Sequence, residues 1–242
     1  MQKRSHGYSL FVGHIIVFIL LYAGSSNANL ILNSGFETGD FQSWTNGGFS
    51  FVEPCPIDYL GVPGGVPCAV DGGNYHTAIG LFFNTVDNGS IEQEIILPGP
   101  GIYEFGATVS FGYVSASGDL IEGNFDTGSV SLSIPSIAQS STVEFVPNEN
   151  LSLFSELPST APGIRLQTDW FEMSGMLQYD GTEAVTAVLY FDLQDAASPD
   201  NIFLTHFLID NAFVKVVPVP APAWLFSSGL IGLIGIARRR KS

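Results

Sequence analysis

Short runs of alternating apolar and polar residues constrain the fold of this chain more than any other feature. In residues 90–97, Ile91, Gln93 and Ile95 share one face of an extended chain, and Glu92 and Glu94 lie on the other. Gly, Pro, Asn and Asp separate this run from similar ones, and no stripe with a 3.6-residue period competes with it. The pattern predicts an all-β sandwich or barrel.

The same alternation locates the strands along the chain. We expect strands at residues 29–33, 49–53, 75–83, 90–97, 102–114, 129–134, 141–146, 165–177, 184–193 and 203–217, with a short helix near 151–157. There is no internal repeat and no sign of a second domain. The 189 residues from 29 to 217 suit one domain with a sizeable core.

The N-terminus has the pattern of a secretory signal. Lys3 and Arg4 precede the mostly apolar residues 10–23, and Ser26 and Ala28 put small side chains at the −3 and −1 positions of a cleavage site. The sequence predicts a signal peptide over residues 1–28. An uncleaved signal anchor is the alternative.

The C-terminus, residues 218–242, combines a proline-broken spacer, an apolar segment and a basic end. Residues 224–237 carry no charge and would form a helix about 21 Å long, whereas a bilayer core is about 30 Å thick. The segment is short for a permanent span, and the basic end would stay cytoplasmic. Two interpretations remain open: a plain tail anchor, or a sorting signal that a membrane enzyme removes.

Charge separates the middle of the chain from its ends. Residues 29–217 hold all 23 acidic residues and only two strong bases, Arg165 and Lys215, so this segment carries −21. Such a surface repels nucleic acid, which we exclude as a partner. It attracts divalent cations, although solubility alone would also account for the charge.

The tail resembles the PEP-CTERM sorting domain of bacterial exported proteins. The matching residues are Val217, Pro218, Pro220, Trp224, Gly229, Arg238, Arg239, Arg240 and Lys241. Val219 stands where the family's name-giving glutamate would be. The resemblance implies processing by an exosortase after a transient stay in the inner membrane through residues 224–237. It also implies a destination at the cell surface or in an extracellular matrix associated with exopolysaccharide and biofilm.

Both ends of the middle segment resemble jelly-roll domains of the carbohydrate-binding-module and galactose-binding-like kind. The opening reads Asn33-Ser-Gly-Phe-Glu37 with Trp44 further on, and the last predicted strand contains Ile209-Asp210-Asn211. The resemblance implies a single jelly-roll β-sandwich, flanked by the signal helix and the short C-terminal hydrophobic helix. It also implies a structural Ca²⁺ that Glu37 and Asp210 hold between the first and last strands. Alternatively, Glu37 caps a turn and Asp210 faces solvent.

The two cysteines share one loop rich in Pro and Gly. Cys55 and Cys68 form an even pair on an export route, which favours a local disulfide. No third soft ligand lies nearby in the sequence, so metal binding by this pair is disfavoured.

No catalytic motif stands out, and we predict a protein that is not an enzyme. His76 and His206 lie in predicted strands without a metal-binding partner at the usual spacing, which favours strand packing or surface exposure. Paired carboxylates for glycoside hydrolysis stay open, because sequence spacing does not give their separation in space. The acidic loops with Asp119, Glu122 and Asp126 and with Asp192, Asp195 and Asp200 lack the EF-hand spacing and are expected to be solvated.

Exposed aromatic rings are the usual means of binding sugars. Trp44 and Trp170 are expected in the core, whereas Tyr59, Tyr113 and Phe125 lie near loops and are the candidate ligand-binding rings. The leading hypothesis is an exported surface or matrix protein that binds extracellular polysaccharide. A glycan-active hydrolase on a jelly-roll fold and a purely structural matrix protein without a ligand are the alternatives.

Overall fold

A computed structural model describes residues 28–56, 67–70, 73–80, 89–115, 126–158, 163–194 and 203–218. Almost all of the predicted signal peptide and almost all of the predicted sorting tail lie outside the described residues. Asn29–Lys215 forms one compact unit, and all the strands described below lie in it apart from the last residue of the final strand. No helix among the described residues is long and apolar enough to cross a membrane.

Two antiparallel sheets pack into a jelly-roll β-sandwich, which confirms the predicted fold class. The strands of the described residues are β1 Thr45–Gly48, β2 Ser50–Pro54, β3 Tyr75–Gly80, β4 Gly89–Leu97, β5 Gly101–Ser115, β6 Thr127–Ile134, β7 Gln139–Phe145, β8 Phe154–Glu156, β9 Ile164–Thr168, β10 Phe171–Tyr179, β11 Val185–Gln194 and β12 Phe203–Val216. The five-stranded sheet has the order β1-β4-β11-β6-β7. The seven-stranded sheet has the order β2-β3-β12-β5-β9-β8, and β10 also pairs with β5.

The core lies between the sheets and is built by the inward half of each alternating strand. In β11, Leu189 and Phe191 are fully buried. Phe207 of β12 stacks on Phe111 of β5 with ring centroids 4.4 Å apart, and it lies 6.4 Å from Phe191 of the facing sheet. Each such side chain contributes about 1.5–3 kcal/mol through burial.

Some predicted elements differ from the observed ones. Residues 165–177 form two strands, because the chain leaves β9 at Thr168 and pairs with a different part of β5 from Phe171 onwards. The expected helix near 151–157 is one 3₁₀ turn, Leu151–Leu153, followed by β8. Residues 29–33 are not a regular strand, although Leu30 N–H donates to the Val214 carbonyl (2.8 Å) and so ties them to β12.

Candidate functional site

The outer side of the five-stranded sheet, called the open face below, carries a polar row across all five strands. The strand registers place Thr45, Glu92, Tyr190, Ser131 and Thr142 side by side, one from each strand. Thr45 and Thr142 are exposed, and the other three are half-buried. At about 4.8 Å between strands, the row is about 19 Å long.

Hydroxyls and carboxylates, with one valine, make up the rows on either side of it. One neighbouring row consists of Ser90, Asp192, Ser129 and Glu144, and the other consists of Glu94, Val188, Ser133 and Ser140. Both strong bases of residues 29–217 belong to the other sheet, Arg165 in β9 and Lys215 in β12. The open face therefore offers many hydrogen-bonding groups and negative charge only.

Tyr190 is the one aromatic ring in these three rows. Its hydroxyl lies 3.3 Å from Asp192 Oδ1, and Gln194 Nε2 donates to Asp192 Oδ2 at 2.9 Å. Partial burial raises the pKa of Tyr190, so the phenol is neutral. A half-buried ring among hydroxyls and carboxylates can stack on the apolar side of a sugar while its neighbours bind the sugar hydroxyls.

The structure places the sequence-based ring candidates elsewhere. Tyr113 is 1 % exposed, so the expectation that it lies free near a loop is wrong. Strand alternation turns Tyr113 inward, because its neighbour Gly112 faces the outer side, against His206. Tyr59 and Phe125 lie outside the described residues.

The two tryptophans, both predicted in the core, differ. Trp44 is 7 % exposed in the core with its ring tilted by 32° against that of Phe36, whereas Trp170 is half-buried against His76 on the outer side of the seven-stranded sheet. Sequence reasoning missed Tyr190, although its signal was present. Tyr190 alternates with the apolar residues Leu189 and Phe191, which places it on the solvent side of β11.

Glu37 and Asp210, the predicted Ca²⁺ ligands, lie within electrostatic reach of each other. The Glu37 carboxylate accepts hydrogen bonds from the backbone N–H groups of Asn74 (2.9 Å) and Tyr75 (3.0 Å). Burial raises the pKa of Asp210 to about 8, and the charge of Glu37 contributes to the shift. Asp210 is fully buried, so the alternative in which it faces solvent is wrong.

The surroundings of this pair fit a cation. Asp210 Oδ1 accepts the Asn211 N–H at 2.7 Å, but Oδ2 is buried without a hydrogen-bond partner. A Cβ on Gly35 would lie 3.3 Å from Asp210 Oδ1, and one on Gly73 would collide with the Glu37 carboxylate. The part of the chain that is described holds no group of three or more His, Cys, Asp or Glu side chains arranged for a metal. A cation held here would need backbone carbonyls to complete its shell.

The two cysteines are free thiols in the structure, so the disulfide stays a prediction. Cys55 Sγ lies 3.0 Å from His76 Nδ1. Burial raises the pKa of the Cys55 thiol, and the neighbouring Cys68 thiol raises it further. Burial also lowers the pKa of His76 to about 4, so this imidazole is neutral.

The two described residues of the predicted acidic loops differ in burial. Asp126 is 6 % exposed, contrary to the expectation that it is solvated, and Asp192 is half-buried on the open face. Asp119, Glu122, Asp195 and Asp200 lie outside the described residues. Among the described residues, Asp126 and Asp192 belong to no group of three or more His, Cys, Asp or Glu side chains that could hold a metal.

No protein-family profile matches this chain, and no curated protein sequence matches it. Among solved structures, it is similar to TmCBM61 in complex with β-1,4-galactotriose, with 16 % identity, TM-score 0.44, and 78 % of this chain and 99 % of that chain covered. It is also similar to a family 16 carbohydrate-binding module, with 13 % identity, TM-score 0.42, and 77 % and 99 % covered. A third similar structure is the CBM22-1 xylan-binding domain from Paenibacillus barcinonensis, with 12 % identity, TM-score 0.39, and 81 % of this chain and 99 % of that chain covered. At these identities and TM-scores, the similarity does not identify a ligand for this chain.

Proposed function

We propose that this protein is an exported cell-surface or matrix protein that binds polysaccharide through its open face. The observation that supports the binding role is the row containing Glu92, Tyr190 and Ser131, which sets an aromatic ring between hydrogen-bonding groups on a wide, accessible sheet. A row about 19 Å long has room for several consecutive sugar units of an extended chain. The glycan would lie across the strands, with one sugar stacked on Tyr190.

Binding of this kind is weak and depends little on salt. The free energy comes from ring stacking and from hydrogen bonds to uncharged sugar hydroxyls, which counterions screen only slightly. The charge of −21 on residues 29–217 disfavours uronic-acid polymers unless a divalent cation bridges the two. Neutral polysaccharides are therefore the expected class.

Retention of the full-length protein on immobilised polysaccharides tests the proposal. The probes are xylan, β-1,4-galactan and alginate, together with exopolysaccharide from the source bacterium, each with and without a chelator. We expect retention on a neutral polymer, loss of retention in Tyr190→Ala, and most of it kept in Tyr190→Phe, which preserves the ring. Thr186→Ala, an exposed change outside the row on the same strand, is the matched control.

Other outcomes of the same assay would support a different function or a different mode of binding. Release of reducing sugars would identify a glycan-active hydrolase. Retention on alginate that chelation abolishes would indicate cation bridging. No retention and no release would leave a structural matrix protein without a ligand.

We also propose that Glu37 and Asp210 hold a structural Ca²⁺ that joins the first segment of the domain to β12. The support is the buried, unpartnered Oδ2 of Asp210 beside a second carboxylate. A cation that binds only the folded state raises the melting temperature by mass action. Chelation should therefore lower the melting temperature of the wild-type protein, and Glu37→Gln should abolish that chelator effect. Identical melting curves with and without chelator would remove the site.

The export part of the proposal depends on the two ends of the sequence. Signal cleavage after Ala28 and removal of the basic end predict a mature chain that lacks residues 1–28 and Arg238 to Lys241. Intact-mass measurement of the protein from its native host tests both. Full-length tails in most molecules would instead support a plain membrane anchor.

A further inference from the structure

The two sides of the row that contains Tyr190 differ in polarity. The row on one side consists of Ser90, Asp192, Ser129 and Glu144, which are all polar. On the other side Val188 interrupts the polar residues, and beyond it Ile96 pairs with Thr186. Val188 is half-buried and Ile96 is 58 % exposed. These two residues, Val188 and Ile96, are called the apolar strip below.

The apolar strip begins beside the ring of Tyr190. Val188 lies two residues before Tyr190 on the same side of β11, which places the two side chains about 7 Å apart. Ile96 is the diagonal neighbour of Val188 across β4 and β11, at about 7–8 Å. Single exposed apolar side chains are common on protein surfaces, but these two extend one aromatic ring in the same direction. A short group that projects from a sugar on Tyr190 in that direction reaches Val188, and Ile96 borders it on the far side.

The polar side of the row suits the hydroxyl groups of a sugar. The Tyr190 hydroxyl donates to Asp192 Oδ1 at 3.3 Å, and Gln194 Nε2 donates to Asp192 Oδ2 at 2.9 Å, so the carboxylate is held beside the ring. Each of these oxygens can accept a further hydrogen bond. A sugar stacked on Tyr190 is therefore expected to turn a hydroxyl-bearing edge towards Asp192 and its opposite edge towards Val188.

A methyl group suits the apolar strip better than a hydroxyl does. A hydroxyl above Val188 would lose hydrogen bonds to water and gain none from the valine side chain. A methyl group at the same place buries apolar surface, and one such group corresponds to about a fourfold gain in affinity.

The residues on either side of Val188 restrict which methyl-bearing group fits. Ser133 pairs with Val188 from β6, and its hydroxyl can donate to a carbonyl oxygen. Glu94 pairs with Val188 from β4 and is exposed, so it repels an anionic substituent such as a pyruvate ketal. An acetyl ester has the required combination of a methyl group, a carbonyl oxygen and no charge.

We propose that the open face selects O-acetylated neutral polysaccharides and that an acetyl group of the bound chain lies on Val188 beside Ser133. This inference rests on the polysaccharide binding proposed above and names the class of polymer that the open face binds. Both the stacked sugar and its acetyl group are bound without any chemical change.

Binding isotherms of the full-length protein on matched polymers test the inference. The polymers are xylan, partially acetylated β-1,4-galactan and exopolysaccharide from the source bacterium, each in its O-acetylated form and after mild alkaline deacetylation. Alkali removes the acetyl esters and leaves the glycosidic backbone. On a backbone that the protein binds, we expect the dissociation constant to be about fourfold lower for the acetylated form.

Substitutions in the apolar strip assign the preference to this part of the open face. Val188→Thr keeps the shape of the side chain but exchanges a methyl group for a hydroxyl. It should bring the affinities for the two forms close together and leave the affinity for the deacetylated form unchanged. Ile96→Thr should weaken the preference in part. Met176→Gln is the matched control, because it removes a 61 % exposed apolar side chain from the other sheet and should leave the preference intact.

The outcomes separate this inference from the proposed function. Equal affinities for the two forms of a polymer that the protein binds would overturn the selection of acetyl groups and leave polysaccharide binding standing. Tighter binding of the deacetylated form, or a full preference that persists in Val188→Thr, would also overturn it. No binding of either form on any of the three backbones would overturn both proposals. If Val188→Thr folds poorly, the exposed Ile96→Thr gives the same test, since an unchanged preference there would contradict the strip.

Discussion

The outer sides of the two sheets share one pattern of alternation and differ in what lies above them. On the five-stranded sheet, the outward Ser, Thr, Glu and Tyr side chains form the open face. On the seven-stranded sheet, the corresponding side is buried around Ala78 and Leu208, and this part is called the covered face below, whereas Ile102 of β5 and Met176 of β10 on the same side are exposed. Phe51, Leu157 and Trp170 pack over Ala78 and Leu208 there.

Polar groups on the covered face form a closed network. His206 Nε2 lies 2.9 Å from Gln167 Oε1, Gln167 Nε2 donates to Ser110 Oγ at 2.6 Å, and Ser110 Oγ donates to the Thr168 carbonyl at 2.8 Å. Residues of this kind stabilise the fold only while every partner is present. On the open face, water can replace a lost partner, so residues there are free to serve binding. The difference teaches that burial, and not residue type, decides which polar strand residues support stability.

The largest expected effect is on the covered face, at Gly112. A Cβ at this position would collide with the His206 ring and the Gln167 carboxamide. Gly112→Ala should therefore lower the free energy of unfolding by about 3 kcal/mol or more, or prevent folding. Chemical denaturation measures this. Gly99→Ala is the matched control, because no atom lies within 4 Å of a Cβ there. Equal stability of the two variants would show that the covered face is loosely packed.

Acid should weaken the covered face through its histidines. Burial lowers the pKa of His206 from 6.5 to about 3, and burial lowers that of His76 to about 4. Because the folded-state values lie below the unfolded one, the stability these groups contribute is complete above pH 6.5 and is lost as the pH falls towards 4 and 3. Melting temperatures between pH 7 and pH 4 should fall by this effect, and Asp210 offsets part of the loss, because its folded-state pKa of about 8 lies above its unfolded value.

His206→Gln separates this effect from general acid denaturation. Glutamine keeps hydrogen-bonding groups at the position but does not titrate, so the variant should lose less stability than wild type between pH 7 and pH 4. The open face has no histidine, since all four histidines of the chain are His6, His14, His76 and His206. Parallel losses in wild type and variant would contradict the assignment.

The smallest expected effects come from two serine substitutions, one on each face, which compare the two faces directly. Ser110→Ala leaves Gln167 Nε2 without its acceptor in the covered network, so the free energy of unfolding should fall by about 1–3 kcal/mol. Ser131→Ala on the open face should change it by less than about 0.5 kcal/mol while weakening retention on a neutral polysaccharide. Thermal denaturation of both variants, with the retention assay, measures the contrast. A large stability loss in Ser131→Ala would mean that the open face is also structural.

The sequence alone was sufficient for the strands with strong alternation. The observed strands β4, β5, β11 and β12 lie close to the predicted residues 90–97, 102–114, 184–193 and 203–217. The resemblance also predicted that Glu37 and Asp210, which are far apart in the chain, lie close together. In the structure both lie within 4 Å of the position of a Cβ on Gly35. Elements without alternation were missed: β1 contains two glycines among four residues, and β8 has only three residues.

What the tertiary structure decided is which side of each strand is covered. Alternation puts Tyr190 and Phe191 on the two different sides of β11, and Gly112 and Tyr113 on the two different sides of β5. It does not say which of the two sides another layer covers. Loops distant in sequence provide that layer over the seven-stranded sheet, where Trp170 Nε1 donates to the Pro67 carbonyl at 2.8 Å. Strand formation depends on neighbouring residues along the chain, whereas burial depends on segments that meet only after folding. For this reason Tyr190 is accessible on the outer side of one sheet, whereas His206 on the outer side of the other is buried.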